Sequence, residues 1–304
     1  MRFEIRRLAL GCRTVLPIDE ADFKEVRNCR NALLLLLQIE VAYDVLVGNW
    51  LQLEQATCLL AFDKFARARL SRAEMERDHT ELNRHIVNLL SAARSFVDHT
   101  KRHLNSFPGC TPADKAHLEN AFATQYDTNL SYRAAECLRN YTQHCGLPTQ
   151  GLSSRLHWTA EPEADRKLVS SVSPYLTLDR LRFDTRFNKQ VLEELAAAAG
   201  NEVPVMPILR EYVGSLSSVM QEVRRLYGAR QQCSANNLDS WVERFCKTES
   251  MGETEVVGVA ALQLAETGER VEEIHLGIEL KERLHALQST NRQLMNLHKL
   301  QVIS

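Results

Sequence analysis

The feature that most constrains this chain is the run from Glu20 to about Phe65. Apolar residues recur there at three- and four-residue steps, as in Leu33, Leu36, Leu37, Val41, Val45 and Leu46, which places them on one face of a helix. A stripe of that length has to be buried against other helices, so a helical bundle is expected, with Gly48 dividing the run. Ser71, followed three residues later by Glu74, reads as a capping box opening a second long helix to about Leu104. Its stripe is Met75, Leu82, Ile86, Leu89, Ala93 and Val97, and Asn83, Arg84, Asn88, Arg94 and Asp98 fall off it. Pro108-Gly109 breaks the chain, and Pro112 opens the next helix at its first position. That helix, interrupted or not near Asp127-Thr128-Asn129, runs to the stop at Gly146 and Pro148.

Beyond Pro148 the pattern changes to alternating residues mixed with Ser, Pro and Thr, which suits a short β hairpin or an extended arm. Helical spacing resumes from about Asp184 to Ala199, Val205 to Gln232 and Asn236 to Cys246. TEVVGVAALQL, the turn AETGER and VEEIHLG read as a second hairpin, and an amphipathic helix from about Glu279 to Leu300 closes the chain. The fold class expected is therefore mostly α, with an N-terminal helical bundle over residues 1–150 and a smaller α+β region over 151–304 carrying short β hairpins. A chain of 304 residues also exceeds the usual size of one core.

The net charge of -2 gives no support to a sequence-independent nucleic-acid binder driven by its global field, so any such role has to rest on a local site. Eight cysteines are scattered without a CxxC pair, which favours free thiols in a reducing cytoplasm. The N-terminal apolar run is too short for a signal peptide, and Ala32 to Leu37, the longest apolar stretch, falls far short of the roughly 20 residues of a membrane span. A cytoplasmic protein with no membrane partner is expected.

The stretch LRNYTQHCG at residues 138–146 stands out. On a helical wheel Leu130, Ala134, Cys137, Leu138 and Tyr141 form the stripe, while Arg133, Glu136, Arg139, Asn140, Gln143 and His144 lie on the flank and the far side. Asn140 and His144 are four apart and are neighbours. Arg139 and His144, five apart, diverge by about 140° at 100° per residue, so they meet only across a groove made with another helix or subunit. Such a groove suits phosphodiester cleavage. A histidine moves protons at neutral pH, a guanidinium holds a phosphate and stabilises transition-state charge, and an RNA 2′-hydroxyl can be the nucleophile without a metal. Beside this stands a plainer explanation, since cations near a helix C-terminus complement its dipole and cap its carbonyls.

The run Arg139-Asn140-Tyr141-Thr142-Gln143-His144 resembles the signature of the HEPN superfamily, an arginine and a polar residue followed by a histidine after four to six intervening positions. The resemblance covers about residues 70–150. It implies a metal-independent endoribonuclease that needs no cofactor, of the kind found in toxins and antiviral effectors. Arg139, Asn140 and His144 would be its catalytic residues, in a site formed where the motif helices of a homodimer meet. Arg84, Asn88, Arg94 and Arg133 are the candidates for RNA contact, and residues 151–304 for substrate choice, dimerisation or an antitoxin-like regulator. Some members of the superfamily are non-catalytic, and the alternative reading is a helical protein-interaction or scaffold module.

Other groupings carry less. His99 and His103, one turn apart beside Asp98, lack an evident third metal ligand, and Cys137, His144, Cys145 and His157 lack the paired spacing of a zinc site. Arg155 and Trp158 have the chemistry to stack on a base or to pack on the bundle. Walker, GxGxxG and GxSxG motifs are absent.

Overall fold

The structure, a computed structural model, describes residues 1–67, 71–183, 187–249, 257–277 and 279–299, apart from the side chains of Ala164 and His298. Along the chain come β1 (Arg2–Arg7), β2 (Val15–Ile18), α1 (Glu20–Ala66), α2 (Arg72–Asn105), α3 (Pro112–Thr128), α4 (Leu130–His144) and β3 (Gly151–Trp158). They are followed by β4 (Leu168–Thr177), α5 (Leu178–Arg182), α6 (Lys189–Ala199), β5 (Glu202–Pro204), α7 (Val205–Glu249), β6 (Val259–Leu264), β7 (Arg270–His275) and α8 (Glu279–Thr290). The fold is mostly helical, with a long N-terminal helical region and small antiparallel sheets.

The residues fall into two compact units whose segments alternate along the sequence. One comprises Met1–Val41, His99–His117 and Glu222–Arg292, the other Ala42–Asp98, Leu118–Gln221 and Gln293–Ser304. Neither unit is the block 1–150 or 151–304, because α1, α2, α3 and α7 each contribute to both.

In the first unit the sheet has the order β2-β1-β6-β7, antiparallel throughout. Phe3 lies 5.2 Å from Phe23 of α1, ring to ring, so that face of the sheet packs on the helix. A bidentate pair joins α1 to α7, with Arg224 Nε and Nη2 donating to Glu40 at 2.9 and 2.7 Å and Nη1 donating to the Asn291 carbonyl. The β6–β7 hairpin is as expected from Val259 onward, whereas the start of that patch at Thr254 lies outside the described residues. The closing helix stops at Thr290 rather than near Leu300, which itself lies outside the described residues. β1 and β2 were not anticipated.

In the second unit α1 and α7 are again tied by a buried pair, Glu54 with Arg210, and by Tyr43 Oη donating to Ser217 Oγ at 2.8 Å. Tyr43 also packs on Phe96 of α2. α1 continues through Gly48, where a β-carbon would meet nothing within 4 Å, so no steric cause for a break exists. α7 likewise continues across Gln232 to Asn236, where two helices were expected. The capping box is present, with Glu74 N donating to Ser71 Oγ at 3.3 Å and Ser71 Oγ donating to Glu74 at 2.8 Å. The hairpin β3–β4 extends to the three-stranded order β3-β4-β5. α6 starts at Lys189; its expected start at Asp184 lies outside the described residues. By length and composition α1 would pass as a bilayer span, a test that core helices also pass. Its residues Leu33, Ile39, Tyr43 and Leu46 are buried in the protein.

Candidate functional site

α4 carries the motif, and its first turn is fixed by Asn129. The Asn129 Oδ1 accepts from Tyr132 N at 3.2 Å, satisfying one free donor of the helix start, while its Nδ2 donates to Ser215 Oγ of α7 at 3.0 Å. Tyr132, Ala134, Ala135 and Leu138 are buried, and Cys137 is only half-buried. The Tyr132 ring meets Tyr212 of α7 edge-on at 5.0 Å. The real seam therefore lies a little round the helix from the expected stripe, turned toward α7 by these two tyrosines. Burial raises the pKa of both phenols, that of Tyr212 well above its ordinary value, so both stay protonated. Tyr212 can then donate its hydroxyl hydrogen to Glu136 on the next turn of α4.

At the other end Cys145 N and Gly146 N both donate to the Tyr141 carbonyl, closing the helix at 2.8 and 3.4 Å. Asn140 and His144 are exposed there and Arg139 is half-buried. The Arg139 Nη1 donates to Asn140 Oδ1 at 3.0 Å, so the motif's asparagine braces the arginine. The Arg139 Nε is screened from solvent and has no hydrogen-bond partner among the described residues. A shielded guanidinium donor without an acceptor costs desolvation free energy; Arg27 Nε and Arg230 Nη1 are in the same state elsewhere among the described residues.

The candidate RNA contacts are placed unequally. Arg133 is occupied, donating through Nη1 to the Tyr126 and Asp127 carbonyls at 3.1 and 2.9 Å and through Nη2 to Glu194 of α6. It closes the end of α3 and holds α6, a structural position. Arg94 bonds Asp98 on its own helix at 2.9 Å and lies 3.9 Å from Glu136, so it belongs to the polar seam between α2 and α4. Arg84 is exposed and paired with Glu81, and Asn88 is exposed. The Arg94–Glu136 contact and a second one from Asn83 to Thr149 put Arg94 and Asn83 on the side of α2 that meets the α4–β3 segment, and Asn88, about 120° away at 100° per residue, lies on the solvent side.

The Asn83 contact belongs to a cluster that was not anticipated. Asn83, expected off the apolar stripe, is fully buried. Its Oδ1 accepts from Thr149 N at 2.9 Å, which orients the amide so that Nδ2 donates to His79 Nε2 at 3.0 Å. The Thr149 hydroxyl lies within hydrogen-bond distance of both Asn83 Oδ1 and His79 Nε2. With Nε2 accepting, His79 is neutral, and burial lowers its pKa accordingly. The cluster anchors the chain directly after the motif. Its only trace in the sequence is a histidine and an asparagine one turn apart, which many surface helices also carry.

His99 and His103 stack edge-on at 5.5 Å, with burial holding the His103 pKa below its ordinary value. Among the described residues no group of three or more His, Cys, Asp or Glu side chains is arranged to hold a metal ion. Comparison with protein-family models, curated proteins and solved structures gives no match to this chain.

Proposed function

We propose that the chain is a HEPN-like, metal-independent endoribonuclease that acts on RNA as a dimer. The observation that carries this reading is the grouping at the end of α4: Asn140 braces the Arg139 guanidinium, and the exposed His144 stands at the same helix end. His144 takes the proton of the RNA 2′-hydroxyl or returns one to the departing 5′-oxygen. The 2′-oxygen attacks phosphorus, the bond to the 5′-oxygen breaks, and a cyclic phosphate remains. Arg139 holds the phosphate and stabilises the charge that develops on its oxygens. Asn140 acts as a positioning residue for Arg139. Because Arg139 and His144 diverge on one helix, the complete site draws one residue from each of two α4 helices. A cytoplasmic toxin or defence effector restrained by a partner protein fits this chemistry.

The test is RNA cleavage by purified protein with chelator present. Arg139→Ala and His144→Ala are each expected to reduce the rate at least a hundredfold with the circular dichroism spectrum unchanged. Unchanged cleavage in both folded variants refutes the assignment, and activity that chelator abolishes refutes the metal-independent mechanism. A second reading, a non-enzymatic interaction module, is favoured by the large apolar residues exposed elsewhere in the same unit.

A further inference from the structure

Among the described residues β3 is an edge strand, paired only with β4, and every residue from Ser154 to Trp158 is exposed. An uncovered edge presents free N–H and C=O groups ready to pair with another strand. Proteins protect such edges with short strands, charges or proline; this strand is eight residues long, carries one charge, Arg155, and has two large apolar side chains near its end. Leu156 is 57% exposed and Trp158 61%. Their partners across the ladder are Ser170 and Leu168, so all four residues share one face of the hairpin.

On that same face Ser170 Oγ donates to the Ala61 carbonyl of α1 at 2.8 Å. The hairpin therefore rests against the last turns of α1, where Phe62 and Phe65 are 61 and 54% exposed. At 100° per residue both fall on one side of Ala61, whereas Leu59 lies on the far side, in the groove between α1 and α2. With aromatic side chains of about 150–250 Å² each and leucines slightly smaller, Leu156, Trp158, Leu168, Phe62 and Phe65 leave on the order of 500 Å² of apolar surface in water. That lies within the range of about 300–600 Å² for the largest patch on an ordinary monomer, which is often functional. Together with the strand backbone it approaches the roughly 800 Å² that each partner contributes to a stable interface.

We infer that a second copy of this chain covers the patch, the two β3 strands pairing antiparallel about a two-fold axis perpendicular to the sheet. An antiparallel edge is complementary to itself under that symmetry, and the two three-stranded sheets become one of six strands. Because the axis is perpendicular, both α1 ends lie on the same side of the joined sheet. Phe62 and Phe65 of each copy then meet Leu156 and Trp158 of the other. Arg155 and His157 point to the opposite side and stay in water. The inference does not rest on the ribonuclease reading, since none of these residues belongs to the motif.

The experiment is sedimentation equilibrium of the full chain at micromolar concentration, with Trp158→Glu, Phe62→Glu and a control, Phe183→Glu, at an exposed residue outside the patch. The wild type is expected to be a dimer, the two patch variants to dimerise at least tenfold more weakly with unchanged circular dichroism spectra, and the control to match the wild type. A monomeric wild type overturns the inference, as does a dimer that both patch variants leave intact, which would put the two-fold contact at α4 and not at β3. A monomer that co-sediments with phosphatidylserine vesicles, and loses this in Trp158→Glu, would assign the patch to a lipid surface instead. RNA cleavage measured on the same samples separates the two readings, because a dimeric but inactive protein sinks only the nuclease.

Discussion

Arg210→Leu is expected to destabilise the protein by about 3 kcal/mol, the lower end of the range for breaking a buried pair. The Glu54 carboxylate accepts Arg210 Nε at 2.6 Å and Nη2 at 2.7 Å and has one other donor, Trp50 Nε1 at 3.1 Å. The hydrogen bonds that Arg210 donates to Glu54 hold its pKa above the ordinary value, consistent with a fully charged pair. Truncating the arginine strands a carboxylate 11% exposed beside a site 20% exposed, and this partial access of water sets the lower end. The double variant Glu54→Leu/Arg210→Leu removes the charge with its partner and is expected to cost at least about 1.5 kcal/mol less than the two single changes added together.

Urea denaturation of the four proteins at pH 7, followed by circular dichroism, measures this coupling. Additive single changes would refute the argument.

Three further outcomes follow from individual contacts. His79 accepts a proton only by giving up the Asn83 bond, and burial lowers its folded pKa. The stability it contributes is therefore present above its unfolded pKa of about 6.5 and lost as pH falls through the lower folded value; His79→Gln should flatten the stability curve between pH 7 and pH 5, and an unaltered slope would count against the neutral assignment. Gly151→Ala puts a β-carbon 2.2 Å from the Tyr175 ring and should cost about 1–3 kcal/mol in thermal denaturation, whereas Gly48→Ala, with open space inside α1, should stabilise by about 0.5–1 kcal/mol. Asn129→Ala removes the α4 cap and the Ser215 contact and should cost about 1–2 kcal/mol, with faster amide exchange in the first turn of α4; unchanged exchange there would show that the cap does not hold the helix.

Local chemistry alone determined much of this protein. The Ser71–Glu74 box, Pro112 at a helix start and the stop after His144 act within a few residues, and the structure follows them at the bounds of α2, α3 and α4; the stripes hold less closely, since Met75 is exposed and Asn83 buried. The hairpins β3–β4 and β6–β7 were legible for the same reason, since each strand finds its partner a short turn away. The exposure of Asn140 and His144 also followed from the wheel, because the end of α4 has one apolar side.

Only the tertiary structure decided the rest. RFEIRR becomes a strand because β6, some 250 residues later, offers it a ladder from Arg2 to Arg7. Gly48 and the polar run Gln232–Asn236 break nothing because the helices through them are held by packing on both sides, which outweighs a fraction of a kcal/mol of propensity. Arg133 looked as available as Arg139 on a helical wheel. Its acceptors, the last carbonyls of α3 and Glu194 of α6, come from elements whose approach no local pattern encodes, whereas the Arg139 guanidinium bonds only its neighbour Asn140 among the described residues.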